Sequence, residues 1–324
     1  MEDIIRIKSF RLQNKMRIIA DTTEFHIAEK TAVAIGKFDG LHIGHQALLK
    51  EIIKAKEEGL LAAVFTFNPS PSVFFSGGKE KVLTPIHEKR KMFEALGVDI
   101  LYEYPLNEKT ASILPEDFIR EFLVEKLNAS RIVCGPDLSF GKGGKGNYDL
   151  LSSMASRGGY TVSCIQKIFA FGEEVSSSLV RRLVSQGEFE KVEKLLGFPY
   201  SFSGTIVPGK QLGSKLGMAT ANLIPVEDKL LPPFGVYFAK ALLDGKEYSG
   251  IFNVGCKPTV NDTSSVNIEM HIYGLEGEQY GKELTIFCKK FRRAEMKFSS
   301  VDELKKQMSL DLQAGREYFG IALQ

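Results

Sequence analysis

The sequence lacks the features that mark membrane-spanning and nucleic-acid-binding proteins. No apolar run approaches the length of a membrane span, and the run from Leu60 to Phe65 is only as long as a buried strand. Lysine and arginine together number 42 and aspartate and glutamate 40, which leaves a formal net charge of only +2. Such a balance predicts no basic surface for duplex nucleic acid. We therefore expect neither nucleic acid nor a membrane as a partner.

Cysteine is also scarce. The sequence has four cysteines, which lie far apart and form no CxxC pair: Cys134, Cys164, Cys256 and Cys288. This pattern favours buried thiols in a reducing compartment over a disulfide framework. Acidic residues follow Met1, where a signal peptide would carry positive charge. A cytoplasmic location is the expectation.

The first half of the sequence alternates between two kinds of apolar pattern. Short apolar runs typical of buried strands occur at Thr31–Ile35, Leu61–Phe67, Val98–Tyr104, Arg131–Cys134 and Tyr160–Gln166. Helical patterns separate them at 44–58, 86–96, 115–127 and 147–157. This order predicts a doubly wound α/β domain with a parallel sheet, in which ligands bind beyond the carboxyl ends of the strands.

The second half of the sequence has a different hydrophobic pattern. Short alternating runs broken by Gly and Pro occupy Ser201–Val207, Gly235–Leu243, Lys246–Val254, Val266–Tyr273 and Glu283–Cys288. They predict an antiparallel barrel or sandwich. A final helix over Val301–Phe319 carries Leu304, Met308 and Leu312 at four-residue steps, a stripe expected to pack on the barrel. We place the boundary near Gly187, which gives domains of 1–186 and 187–324.

One stretch, Gly36–His45, predicts a phosphate site. It joins the strand Thr31–Ile35 to a helical pattern and is rich in glycine, and glycines with the first N–H groups of a helix favour an anion there. His42 and His45 lie three residues apart and can both face that anion. A metal is the competing interpretation, but no third ligand has supporting spacing.

Several motifs together resemble a known family. Gly36-x-Phe38-Asp39-Gly40-x-His42-x-Gly44-His45 is similar to the nucleotidyltransferase signature. The whole order of segments resembles the bacterial bifunctional riboflavin kinase/FAD synthetase family, with Gly135-x-Asp137, Phe140-Gly141 and Ser176-Ser177-Ser178-x-x-Arg181 in the first half. The resemblance implies that the first domain transfers AMP from ATP to FMN and releases pyrophosphate.

The resemblance also implies roles for individual residues. His42, His45 and Arg181 would hold the phosphates of ATP. The other residues expected at the nucleotide are Gly36, Phe38, Asp39, Gly40, Gly44, Ser176, Ser177 and Ser178, and those expected at the flavin are Asn68, Asp137 and Phe140. The FMN phosphate attacks as an anion already, so this site needs donors and positive charge but no general base.

The second half carries motifs similar to those of flavokinases. Gly213-Ser-Lys-Leu-Gly217-Met-Ala-Thr220-Ala-Asn222 resembles their phosphate loop, and Asn253, Thr259 and Arg293 lie in motifs expected at flavin or nucleotide. A hydroxyl nucleophile, unlike a phosphate, benefits from losing its proton, and Glu269 is the expected general base. Thr220 and Asn222 offer oxygen ligands suited to Mg²⁺ on ATP. Riboflavin, FMN, FAD and ATP are the expected small-molecule partners.

Departures from the family pattern leave alternatives open. The second loop usually reads Thr-Phe-Glu/Asp-Pro-His-Pro, whereas Asn68 and Ser70 stand here in place of the acid and the histidine. These two residues suggest a kinase whose first domain binds nucleotide without adenylylating. A non-catalytic flavin sensor is a further alternative, for which no specific residue speaks. His42-Ile-Gly-His45 also spells a signature of class I aminoacyl-tRNA synthetases, but no Lys-Met-Ser-Lys-Ser motif accompanies it.

Overall fold

A computed structural model describes residues 15–209, 220–257 and 265–322. The chain divides into two compact units, with the division between Leu179 and Val180. The predicted boundary near Gly187 lies further along the chain, and the domain ranges built on it stay predictions. Each unit has a sheet of its own.

The first unit is built on a six-stranded parallel sheet. Its strands are β1 (Arg17–Ala20), β2 (Thr31–Ile35), β3 (Leu61–Asn68), β4 (Ile100–Pro105), β5 (Ala129–Cys134) and β6 (Thr161–Cys164). They lie in the order β1-β4-β3-β2-β5-β6, and every neighbouring pair is parallel. This confirms the doubly wound α/β prediction. The short edge strand β1 was not predicted from sequence.

Helices connect these strands. They are α1 (Ile43–Lys54), α2 (Pro71–Phe75), α3 (Ile86–Ala95), α4 (Glu108–Ala111), α5 (Pro115–Phe118) and α6 (Tyr148–Gly158). A 3₁₀ turn over Ala55–Glu58 extends α1, and a π-helical segment over Ile119–Lys126 continues α5. A small antiparallel pair, β7 (Phe169–Ala170) and β8 (Glu173–Glu174), precedes α7 (Ser177–Ser185).

Aromatic side chains fill the core on one side of the sheet. Phe65, Tyr102, Phe118 and Phe122 are each almost fully buried. The Phe65 ring packs edge-on against Tyr102, with centroids 5.2 Å apart, and tilted against Phe118 at 5.1 Å. Burial of rings of this size is the largest favourable contribution that side chains make to a core. The central strands that carry the site at their ends therefore rest on a rigid base.

The second unit begins at Val180, within α7, and continues through α8 (Phe189–Leu196) into a closed antiparallel barrel. Its strands are β9 (Ser201–Val207), β10 (Ala221–Pro225), β11 (Gly235–Leu243), β12 (Lys246–Lys257), β13 (Ser265–Ile272) and β14 (Glu283–Arg293). The barrel closes in the order β10-β13-β12-β11-β14-β9. The prediction of an antiparallel barrel is confirmed, although β10 was not among the predicted strands.

A terminal helix, α9 (Val301–Phe319), follows the barrel over the predicted range. Ser300 caps it by accepting a hydrogen bond from the Glu303 N–H at 3.2 Å, and Gly320 ends it in a left-handed conformation. Gly315 lets the helix approach β12 and β13, because a Cβ at this position would lie 2.3 Å from the Tyr273 hydroxyl oxygen.

Candidate active sites

The phosphate turn between β2 and α1 has an unusual backbone. Phe38 and Leu41 adopt positive φ angles of 51° and 44°, a region that costs free energy for any residue with a Cβ. Both side chains are fully buried, and the Phe38 ring packs edge-on against Phe93 with centroids 5.5 Å apart. Burial of two large side chains offsets the backbone cost and fixes the shape of the turn.

Polar contacts brace the same turn. The Asp39 carboxylate accepts a hydrogen bond from the Thr84 N–H at 3.1 Å, and the Thr84 hydroxyl accepts one from the Gly40 N–H at 3.2 Å. The Ser177 hydroxyl donates to the Asp39 carbonyl at 2.7 Å. Asp39 and Ser177 thus join the turn to its neighbours, and their contact with nucleotide stays a prediction.

The structure brings His42 and His45 together as a stacked pair. Their ring centroids are 3.8 Å apart with 21° between the planes. His42 is the N-cap of α1, and its Nδ1 accepts a hydrogen bond from the His45 N–H at 3.4 Å. An accepting Nδ1 places the proton of a neutral imidazole on Nε2, which can then donate to a ligand. Gly44 leaves room for this arrangement, because a Cβ there would lie 3.1 Å from the His42 ring.

Both imidazoles are neutral at neutral pH. Burial lowers the pKa of His42 to about 4, although Asp137, Asp39 and Glu174 attract the charged form. Burial also holds the pKa of His45 well below its ordinary value, and the charges of His42 and Lys89 act in the same direction. The pair can therefore offer N–H donors to a phosphate but no positive charge.

His45 has unused hydrogen-bonding capacity. Its Nδ1 is buried and has no hydrogen-bond partner among the residues that the structure describes. A buried polar atom without a partner is costly and commonly marks a group that a ligand completes. This is the expected condition of a binding residue before its ligand arrives.

The other residues predicted at the nucleotide lie on or next to α7, except for Gly36, which follows β2. Ser176 accepts a hydrogen bond from the Leu179 N–H at 3.2 Å at the start of α7, while Ser178 is exposed. Arg181 lies four residues after Ser177, beyond the point at which the chain divides, and its role at the turn stays a prediction. The Phe38 ring packs against Gly36, and a Cβ on Gly36 would lie 3.3 Å from that ring.

The three residues of the first unit that were predicted at the flavin differ in burial. Asn68 is half-buried at the end of β3, and Asp137 is exposed after β5. Phe140 is instead a core residue, 3% exposed, with its ring centroid 5.0 Å from that of Phe118. Its burial explains its presence without a flavin, and flavin contact by all three residues stays a prediction.

The second unit places its candidate base within a row of amides. Glu269 on β13 pairs in register with Asn222 on β10 and with Asn253 on β12. Directly paired residues point to the same face of a sheet. Ile268 and Met270 are fully buried in the barrel, so the row lies on the outer surface, as the alternation predicted.

This row faces a cavity of about 260 Å³ beside α9. The cavity wall is mostly apolar and combines barrel residues with one face of α9, including Ile251, Phe252, Leu304, Met308 and Leu312. Glu269, Asn253, Thr220, Arg293 and Glu295 supply polar groups to it. An apolar hollow with a few convergent polar groups is the usual form of a small-molecule site.

An ion pair joins α9 to the barrel at this cavity. Arg293 donates to Asp311 Oδ2 from Nε at 2.9 Å and from Nη2 at 2.7 Å, and Asp311 is only 2% exposed. Gln307 donates to the other carboxylate oxygen at 3.1 Å. Arg293, predicted to touch flavin or nucleotide, thus holds α9 in place, and ligand contact by it stays a prediction.

Oxygen atoms for a cation lie at one end of the row. Asn222 is 5% exposed, and its Oδ1 has no hydrogen-bond partner in the described part of the chain. Thr220, two residues earlier, lines the same cavity. A hard oxygen buried without a partner fits Mg²⁺. No group of three or more His, Cys, Asp or Glu side chains suited to a metal occurs within the described ranges. Gly213, Gly217 and Thr259 lie outside the described residues.

Sequence reasoning missed several residues at this site. Asn267 donates a hydrogen bond to Glu269, Glu295 reaches over Gly255, and Asp311 pairs with Arg293. Asp311 carried no sequence signal because an acid on a helix usually faces solvent. Asn267 lies outside every motif, and its contact is visible only once the strand exists.

Comparison with known proteins decides the family. A family model described as FAD synthetase matches residues 24–179, and one described as riboflavin kinase matches 196–319. The bifunctional riboflavin kinase/FMN adenylyltransferase of Listeria monocytogenes is 37% identical, over 89% of this chain and 92% of its own length. The chain belongs to this bifunctional family. The family member from Bacillus subtilis is 34% identical, over 94% of this chain and 98% of its own. The resemblance drawn from the motifs is therefore confirmed.

A solved structure also matches the whole chain. It is titled "Crystal Structure of Macrolide-efflux Protein from Streptococcus pneumoniae" and has a TM-score of 0.83 at 26% identity, over 93% of this chain and 98% of that one. It shares the two-domain fold of the family, and the efflux in its title is said of that protein. Among the residues described for this chain, no helix combines the length and the hydropathy needed to cross a membrane.

Proposed function

We propose that this chain phosphorylates riboflavin to FMN with ATP, and adenylylates FMN to FAD with release of pyrophosphate. One observation supports the proposal: each unit has a candidate phosphate site of its own. The first unit offers stacked neutral histidines at a helix N-terminus. The second offers a carboxylate on a barrel strand next to a buried amide oxygen without a partner. The two sites suit two different nucleophiles.

In the kinase reaction, Glu269 would take the proton of the ribityl 5′-hydroxyl as its oxygen attacks the γ-phosphorus of ATP. The bond from that phosphorus to the β–γ bridging oxygen breaks, and ADP leaves. The apolar cavity beside α9 would hold the flavin ring, with Glu269 at its wall. Positioning of this kind and a correctly placed base would each accelerate the transfer.

In the adenylyl transfer, an oxygen of the FMN phosphate would attack the α-phosphorus of ATP, and the bond to pyrophosphate breaks. No side chain needs to remove a proton. His42 would donate from Nε2, while the N–H groups at the start of α1 favour the developing negative charge. Ser176, Ser177, Ser178 and Arg181 would steady the departing pyrophosphate.

We further propose Mg²⁺ as the metal of the kinase site and the cytoplasm as the location. Thr220 and Asn222 would hold the ion, which when bound neutralises charge on the ATP phosphates. All four cysteines carry free thiols, with Cys134 and Cys288 buried. Buried free thiols are typical of proteins in a reducing compartment.

The test is a single incubation of the purified chain with riboflavin, ATP and Mg²⁺, followed over time by chromatography. We expect FMN to appear and FAD to follow. A parallel incubation with FMN in place of riboflavin measures the first unit alone. Omission of ATP is the matched blank for both.

The alternatives predict other outcomes. FMN that accumulates with no FAD in either incubation would establish a kinase whose first unit is inactive, the case that Asn68 and Ser70 raise. If neither incubation forms product but the protein retains flavin on dialysis, the result would favour a non-catalytic flavin sensor. Either result would overturn the bifunctional proposal.

A further inference from the structure

Asn267 lies behind the candidate base of the kinase site. Its Nδ2 donates a hydrogen bond to Glu269 Oε1 at 2.7 Å. The two residues are two apart on β13, so their side chains leave the same face of the strand. Glu269 lines the cavity and Asn267 does not. Asn267 therefore reaches the carboxylate from its side away from the cavity.

Asn267 holds this carboxylate without competition. Asn222 and Asn253 flank Glu269 on the neighbouring strands. Within the part of the chain that the structure describes, Asn267 is the one side chain that donates a hydrogen bond to Glu269. A glutamate has three rotatable bonds, and the open space of the cavity restricts them little. One amide anchor removes much of that freedom.

The space beside Asn267 is kept open by a glycine. Gly255 on β12 pairs with Asn267, and a Cβ on Gly255 would lie 2.4 Å from Glu295 Oε1. The missing side chain lets the Glu295 carboxylate lie over the sheet at the level of Asn267. The Glu295 carboxylate therefore places a second negative charge near Glu269. The hydrogen bond from Asn267 favours one orientation of the Glu269 carboxylate despite that repulsion.

We propose that Asn267 is a positioning residue for phosphoryl transfer, which holds Glu269 Oε1 so that Oε2 is left to meet the flavin hydroxyl. The inference rests on the proposed kinase activity. It adds to that activity a residue that touches neither substrate nor metal and acts only through Glu269.

The test combines a substitution with a double-mutant cycle. Asn267→Leu removes the donor at similar volume, and we expect kcat for FMN formation to fall on the order of 10- to 10²-fold with little change in KM for riboflavin. Asn267→Gln keeps an amide donor and should recover part of the loss. In a Glu269→Ala background, Asn267→Leu should cause no further loss, because nothing remains for it to position.

Controls separate positioning from folding. Thr205→Leu makes the same kind of change at an exposed barrel position on β9, outside the cavity, and should leave kcat unchanged. Adenylylation of supplied FMN reports on each variant's first unit. If Asn267→Leu does not fold, Asn267→Asp removes the donor with less change of shape and carries the same expectation.

Two results would overturn the inference while leaving the proposed function intact. One is wild-type kcat in both the leucine and the aspartate variants. The other is an equal loss in the wild-type and Glu269→Ala backgrounds, which would show that Asn267 acts independently of the base. Failure of the proposed function is distinct, because the wild-type chain would then form no FMN at all.

Discussion

The two candidate sites of this chain lie on different scaffolds. The first lies on a turn whose backbone is held in costly conformations by buried Phe38 and Leu41. The second lies on the outer face of three neighbouring strands, with Glu269 between Asn222 and Asn253. The first site consists of main-chain N–H groups and neutral imidazole rings. The second consists of side chains whose spacing is fixed by the pairing of the barrel strands.

The difference follows from the nucleophile that each site would serve. A phosphate arrives ionised and needs donors, which a helix start and two neutral imidazoles provide. A hydroxyl needs a base at a fixed position, and a closed barrel holds a carboxylate more firmly than a turn does. Breaking one site should therefore leave the other working, and the predictions below test that separation.

The largest effect should come from the base. Glu269→Ala should lower FMN formation by roughly 10²–10⁴-fold, the range usual for general-base catalysis, and leave FAD formation from supplied FMN unchanged. Steady-state rates with each flavin measure both activities. A full kinase rate in this variant would remove Glu269 from its role.

The buried histidines should make the first unit sensitive to acid. The pKa of His42 is about 4 in the folded chain against an ordinary 6.5, so below pH 6.5 the unfolded chain binds more protons than the folded one. Stability is thus complete above about pH 6.5 and falls toward about pH 4, by on the order of 3 kcal/mol from His42 alone.

Amide hydrogen exchange in β2, measured at about pH 7.5 and about pH 5, follows this loss. His42→Gln removes the titrating ring and should reduce the difference between the two conditions. An unchanged difference in that variant would show that His42 does not carry the acid sensitivity.

Loss of one histidine should break the first site alone. His45→Ala should lower FAD formation from FMN by roughly 10²-fold, as for removal of a single donor to a reacting oxyanion, while riboflavin phosphorylation stays at the wild-type rate. Both rates come from one preparation. An equal fall in the two would contradict the separation of the sites.

A smaller effect should follow from crowding Asn222, the proposed metal ligand. A Cβ on Gly209 would lie 2.1 Å from Asn222 Nδ2, so Gly209→Ala must displace that side chain. We expect about 10-fold weaker Mg²⁺ activation of the kinase, measured by titration of the metal, with normal adenylylation. Unaltered metal dependence would argue against Asn222 as a ligand.

Long periodic segments made much of this fold predictable. Thr31–Ile35, Gly235–Leu243 and Val301–Phe319 have the predicted bounds, because apolar runs, strand alternation and helical stripes are set by burial along the whole segment. The strands β1 and β10 escaped prediction. Both are short, and β10 begins inside a motif that we interpreted only as a phosphate loop.

The site was less predictable than the fold. Motif spacing pointed to His42, His45 and Glu269, but the neutral state of the histidines depends on burial that no local pattern encodes. Phe140, predicted at the flavin, packs into the core, a position that its motif did not indicate, and its contact with flavin stays a prediction. Asn267 gave no signal, since a hydrogen bond between strand neighbours depends on rotamers and not on residue order.

The cavity beside α9 has one wall formed by the barrel and another formed by the helix. This difference bears on attempts to change which flavins the chain binds. The barrel wall carries Glu269, the candidate base, on β13, which is paired with a strand on either side. The helical wall carries Leu304, Met308 and Leu312 and is attached through the Arg293–Asp311 ion pair. Engineering for larger or smaller flavin analogues should begin with those three side chains, because they lie on α9 and not on the strand that carries Glu269.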